Sequence, residues 1–396
     1  MNTPNNQVSN FSIFVLGFRP FFLAVGIFSF ISMLLWLAMY QFGMMISLGR
    51  LASHYWHAHE MLYGFTMAAI SGFLLTAIKN WTGEQTIQNY PLLILLLMWL
   101  AARICMLIGS DFYIGAAVFD LSFNLYLFIA VLQPIAKAKQ WRQAGIVSKI
   151  FLLAVFNALF YLGLFGIVNN GIYWGIYGGT FLLLALILTI GRRVLPFFIS
   201  KGIDDPVEIK NSTFLDLTLL ITFLAFSITE VFIKDRTLSS YLAGGLFVLS
   251  SVRLYNWHTK QIWSVPLLWG LYSAFVFITL GFLLFALIPY IDVLTPSLAL
   301  HSITIGGFGL MTLSMMSRVT LGHTGRGVKQ ASRWLAIAQW LLLLGVICRV
   351  FLPLFAGGFY TQLVFIAQLL WLVSFALFVG INYPLLTKPR VDGASG

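Results

Sequence analysis

Apolar runs of about 20 residues, each long enough to cross a hydrocarbon core of roughly 30 Å as a helix, follow one another along nearly the whole chain. The pattern predicts helices near 21–40, 57–78, 91–109, 113–135, 147–168 and 172–191 in the first half. The second half predicts helices near 214–233, 238–252, 265–288, 294–317, 334–356 and 358–383. The eighth is short and turns polar at its end. No Pro/Ser-rich linker or charge block interrupts the series, so residues 1–396 read as a single transmembrane domain of the all-α class, with about twelve helices. The first run is too long for a secretory signal and no small-residue cleavage site follows it, so it is expected to stay in the mature protein. The most polar loop, 192–213, carries Asp204, Asp205, Pro206 and Glu208 and divides the helices six and six.

Composition makes the same point from another direction. Hydrophobic residues are 60%, aromatics 16% and charged residues 9% of the chain, against about 25% charged in ordinary soluble domains. Mean hydropathy is +0.92. A water-soluble fold of this length is excluded, and the solvent of the chain is a lipid bilayer. The net charge of +11 then becomes a question of placement. With the N-terminus inside, eighteen of the 23 Lys and Arg fall in cytoplasmic segments and only Arg50, Lys234 and Arg236 on the opposite side. Arg103 and Arg349 lie within spans. Such a bias predicts an N-in, C-in topology, and it calls for no nucleic-acid partner. Cys105 and Cys348 each sit in an apolar run, so no disulfide is expected.

Ionisable groups within spans are costly in lipid and are therefore candidates for function. On this topology His57, His59 and Glu60 open the second helix at the outer surface. Arg103, Asp120, His301 and Arg349 each lie about 10–12 Å below that surface, counting 1.5 Å per residue. Arg103 and Asp120 sit on consecutive helices at matching depth and read as an ion pair. Glu230, four residues before Lys234, reads as half of a helix-end pair.

Two stretches carry the most chemistry. In Trp56-His57-Ala58-His59-Glu60-Met61 the two imidazoles point about 200° apart on a helix. They could ligate one metal from an extended helix entry, or each could face a different site. Imidazole is a common ligand for copper and iron, Glu60 could orient one ring, and His54 joins the group if the helix begins early. The second stretch runs from His301 through Gly306, Gly307 and Gly309 to His323 and Arg326. Its bare glycine face suits close helix packing or the flat side of a planar cofactor. No Walker loop, Cys-x-x-Cys or Cys-x-x-Cys-His motif occurs. Six histidines in total are too few for the ligand set of the haem–copper oxidases.

Five short motifs in order resemble the NnrS family. They are Gly17-Phe18-Arg19-Pro20-Phe21-Phe22, Trp56 to Met61, Gly72 to Ala77 leading into Asn80-Trp81-Thr82-Gly83, Gly191 to Val194 with Pro196-Phe197-Phe198, and His301 to Arg326. The resemblance implies a bacterial inner-membrane protein of twelve helices, containing haem b and copper, that takes part in the nitric oxide response and relieves nitrosative stress. Nitric oxide or a nitrosyl species would be its ligand. It implies cofactor ligands at His57, His59 and His301, with His54 and His323 as weaker candidates and Glu60, Arg103, Asp120 and Arg349 in support. Arg103 and Arg349 would pair with haem propionates. Two other readings stand beside this one: a secondary transporter using the in-membrane Arg, Asp and Glu residues, and a factor that delivers haem or copper to another enzyme.

Overall fold

A computed structural model describes residues 12–203, 209 and 211–393. Asp204, Asp205, Pro206 and Glu208 of the predicted polar loop lie outside the described residues. The described residues form twelve helical rods: α1 (Phe18–Phe42), α2 (Ser53–Thr82), α3 (Asn89–Ile108), α4 (Ser110–Lys137), α5 (Trp141–Leu164), α6 (Gly171–Gly202), α7 (Thr213–Ile233), α8 (Arg236–Trp257), α9 (Pro266–Leu287), α10 (Pro296–His323), α11 (Arg333–Leu354) and α12 (Gly357–Thr387). Eleven are long and apolar enough to cross a membrane, and α8 is the exception. It is a full helix of 22 residues packed between α7 and α9, but Ser239, Ser240, Ser250, Ser251 and Arg253 dilute its hydropathy.

Consecutive helices pack side by side, as short connections require, and α12 returns to lie against α1. α2, α9 and α10 are the most enclosed helices; 83% of the most apolar stretch of α2 is buried, against 28% for α7. α2 and α10 touch, so both run through the middle of the bundle. Outward-facing Ile, Leu, Val and Phe on the peripheral helices, such as Ile94, Leu97 and Leu100 on α3, stay exposed, which is the arrangement a lipid solvent favours. Arg19, Lys79, Lys137, Arg192, Arg253 and Arg318 all fall at one end of the bundle, termed here the basic end; the other is the histidine end.

Two expectations need correcting. The loop expected at 192–213 begins later, because α6 runs on through Pro196, just as α4 runs through Pro134 and α12 through Pro384. All three stand within the last two turns, where a proline costs few backbone bonds. Consequently Arg192 and Arg193 belong to α6 and not to a loop, because that helix continues to Gly202. Glu230 does not pair with Lys234. It accepts from the Ser239 hydroxyl, while Lys234 Nζ lies 4.1 Å above the Tyr173 ring.

Candidate functional site

Helix α2 begins at Ser53, a turn earlier than hydropathy suggests, so His54, His57 and His59 all belong to its first two turns. From Glu60 to Thr66 it widens into a π-helix. Three more π segments occur: Thr229–Ile233 in α7, Ser302–Gly309 in α10 and Ile347–Phe351 in α11. All four lie towards the histidine end. A π turn frees backbone groups and is common at functional sites. Here the freed groups find partners: the Trp99 indole donates to Gly64 O (3.0 Å) and the Thr66 hydroxyl to Met61 O (2.8 Å).

Three of these π segments border a cavity of about 460 Å³ near the histidine end. Its walls are largely apolar and aromatic, and His54, His57, His301 and Arg349 line it. The His57 ring stacks on Trp36, with centroids 4.5 Å apart and planes 10° from parallel. α10 starts at Thr295, whose hydroxyl caps Leu298 N–H, with Pro296 in the first turn. This start places Ser297 one turn before His301, and His301 Nδ1 donates to the Ser297 carbonyl at 2.7 Å. That bond leaves Nε2 as the ring nitrogen with a free lone pair, the arrangement that metal-binding histidines adopt. The Ser297 hydroxyl also receives Arg349 Nη2 at 3.2 Å. Arg349 lies 5.4 Å over the Tyr360 ring, and its Nη1 is buried without a partner. His54 is exposed and packs on Tyr55, 4.3 Å between centroids.

His59 belongs to a different place. Fully buried, its Nδ1 is 3.0 Å from Glu60 and its Nε2 3.1 Å from Asn157 Oδ1 and 3.5 Å from Asp120. Phe160 stacks on the ring at 4.1 Å. Arg103 closes the cluster by reaching Glu60 at 2.6 Å and Asp120 at 2.5 Å, and Tyr161 donates to Asp120 at 2.9 Å. The expected Arg103–Asp120 ion pair is therefore present, with Glu60 as a further partner. The 200° between His57 and His59 sends them to separate environments, so one metal ion does not take both. Nor is Arg103 placed for a propionate, since both of its arms are held by carboxylates.

His323 stands at the basic end, its ring 5.6 Å from Phe18, in a second cavity that no other histidine lines. Among the described residues no group of three or more His, Cys, Asp or Glu converges as a metal site. Trp36, Ser297 and Tyr360 escaped the reading of the sequence. Ser297 was detectable as the residue four before His301; the two aromatics carry no signal in apolar runs.

No curated protein matches the chain. The model of the family described as NnrS protein matches residues 12–390, which takes in every helix and both cavities, and the chain belongs to the NnrS family.

Proposed function

We propose that this chain is a haem- and copper-binding protein of the bacterial inner membrane that acts in the nitric oxide response and protects against nitrosative stress. Family membership suggests the nitric oxide role. The observation that carries the cofactor reading is the meeting of His57 and His301, from separate helices, on one apolar cavity of about 460 Å³. Pockets of a few hundred Å³ with few polar groups are typical of cofactor sites.

The residues fit a haem on three counts. His301 is held through Nδ1 with Nε2 left to donate. Stacking on Trp36 fixes the His57 ring without using either nitrogen. The partnerless Nη1 of Arg349 offers a guanidinium donor to a propionate. When bound, haem supplies an iron that takes nitric oxide as a ligand. Ser297 orients His301, and the aromatic wall, Trp371 and Phe308 among it, keeps water from the site. Nitric oxide dissolves in lipid, so the site needs no aqueous channel. For copper the same cavity offers His54 with the thioethers of Met33 and Met61, soft donors suited to Cu(I). The transporter reading loses its main support, because Glu60, Arg103 and Asp120 are closed on one another.

Absorption spectroscopy of the purified protein, reduced, with and without nitric oxide, tests the proposal. A Soret band that shifts with nitric oxide is expected, lost in His57→Ala and in His301→Ala but kept in His323→Ala. Full haem content in both of the first two variants would sink the ligand assignment. A bound haem that ignores nitric oxide would favour cofactor delivery, and colourless, metal-free protein that catalyses uptake into liposomes would decide for transport.

A further inference from the structure

A second cavity, about 830 Å³, lies at the basic end between α2, α5, α6 and α10. Three of the motif stretches found in the sequence meet there: Thr76 to Trp81 from α2, Arg193 to Phe198 from α6, and Val319 with His323 from α10. The histidine-end site uses none of these residues.

The charge of this cavity is one-sided. Arg142 and Arg193 line it, and among the described residues no carboxylate does. Arg193 Nη1 donates to Gln143 Oε1 at 2.7 Å and Nη2 to Arg142 O at 3.4 Å. Both acceptors are neutral, so the guanidinium is held in place with its charge uncompensated. Gln143 itself is 3% exposed, which makes it a fixed support. Among the described residues the acids at this end are engaged elsewhere: Asp216 with Arg192 and Arg253, Glu84 with Lys137, and Asp392 with Arg390. A third arginine stands behind the wall. Arg318, 8% exposed, lies 4.1 Å over the Phe198 ring, and its Nη1 has no hydrogen-bond partner. Of the fifteen lining residues nine are apolar, including Phe73, Trp81, Phe197 and Phe198. That proportion suits an amphiphile better than a small hydrated anion.

We propose that this cavity binds an anionic phospholipid, with the phosphate on Arg142 and Arg193 and the acyl body along the aromatic wall. Arginine forks match phosphate oxygens in geometry as well as charge. Basic pockets between membrane helices are suited to such headgroups.

The test uses the full chain in neutral detergent, with bound lipid counted by native mass spectrometry during titration with phosphatidylglycerol or phosphatidylcholine. Phosphatidylglycerol is expected to bind the unaltered protein more tightly. Arg142→Gln should weaken it about fivefold, and Arg142→Gln with Arg193→Gln about 25-fold, taking roughly 1 kcal/mol for each arginine. Lys139→Gln, a basic-end charge outside the cavity, should leave binding unchanged. Arg193 bonds Gln143, so its replacement also removes a buried contact; where the double variant fails to fold, Arg142→Gln, on an exposed side chain, decides alone. Equal binding of phosphatidylcholine, undiminished phosphatidylglycerol binding in Arg142→Gln, or an equal loss in Lys139→Gln would overturn the proposal. So would displacement of the lipid by inorganic phosphate at matched concentration, which would point to a soluble oxyanion.

Discussion

Arg103 and Arg349 are two arginines sunk in spans towards the same end of the bundle, and their surroundings give them opposite roles. Arg103 is enclosed by two carboxylates, at 2.6 and 2.5 Å. Arg349 has a serine hydroxyl, an aromatic face and one free nitrogen. Removing one partner of a buried charge cluster leaves the remainder uncompensated, which costs about 3–5 kcal/mol. Glu60→Ala should therefore lower the unfolding temperature of the detergent-solubilised protein clearly. Arg349→Gln should leave that temperature nearly unchanged while reducing haem content. Equal stability of Glu60→Ala and the unaltered chain would contradict the role given to Glu60. Matching depths on consecutive helices made the Arg103–Asp120 pair legible in the sequence. Glu60 was not legible as its third member, because which face of α2 meets α3 is decided by packing and not by depth.

Helices themselves follow from hydropathy, since a backbone in lipid must satisfy its own hydrogen bonds. Their irregularities do not. The π segments find partners such as the Trp99 indole on the neighbouring helix α3, and no local composition marks them. The close α5–α6 hairpin also rests on tertiary contact. A Cβ on Gly171 would lie 2.4 Å from Leu159 O, and one on Gly163 2.2 Å from Ile172 N. Both obstacles are backbone atoms that cannot rotate aside. Gly171→Ala should destabilise the protein by about 1–3 kcal/mol, in the range of overpacked cores. Gly358→Ala, where a Cβ meets nothing within 4 Å, should be silent. Thermal unfolding of the two variants side by side checks the contrast, and identical curves would refute it.

At the level of the whole molecule the two ends differ in chemistry: three imidazoles and a single buried guanidinium face one cavity, and two arginines with one imidazole the other. The loop distribution of Lys and Arg predicts that the basic end is cytoplasmic. In a chain freed of Cys105 and Cys348, Arg50→Cys should react with an impermeant thiol reagent added to intact cells. Lys139→Cys should react only after the membrane is opened, and the reverse pattern would invert the topology. Charge asymmetry, helix number and the roughly 200° between His57 and His59 could be read from the chain, since they depend on composition and helical angle; that the two rings enter separate environments could not. The cavities could not, because each gathers side chains from at least four helices. Three helices furnish both of them, α2, α6 and α10, and in α2 and α10 a π segment stands between the two contributions: Glu60–Thr66 separates His57 from Phe73, and Ser302–Gly309 separates His301 from Val319. One residue turns a helix by about 100°, so an inserted residue resets the face presented further along. In α2 and α10 the wide turns thus act as phase shifters between two distant sites, each resetting by about a quarter-turn the face that the same helix offers at the other end, whereas α6 serves both ends as an unbroken helix.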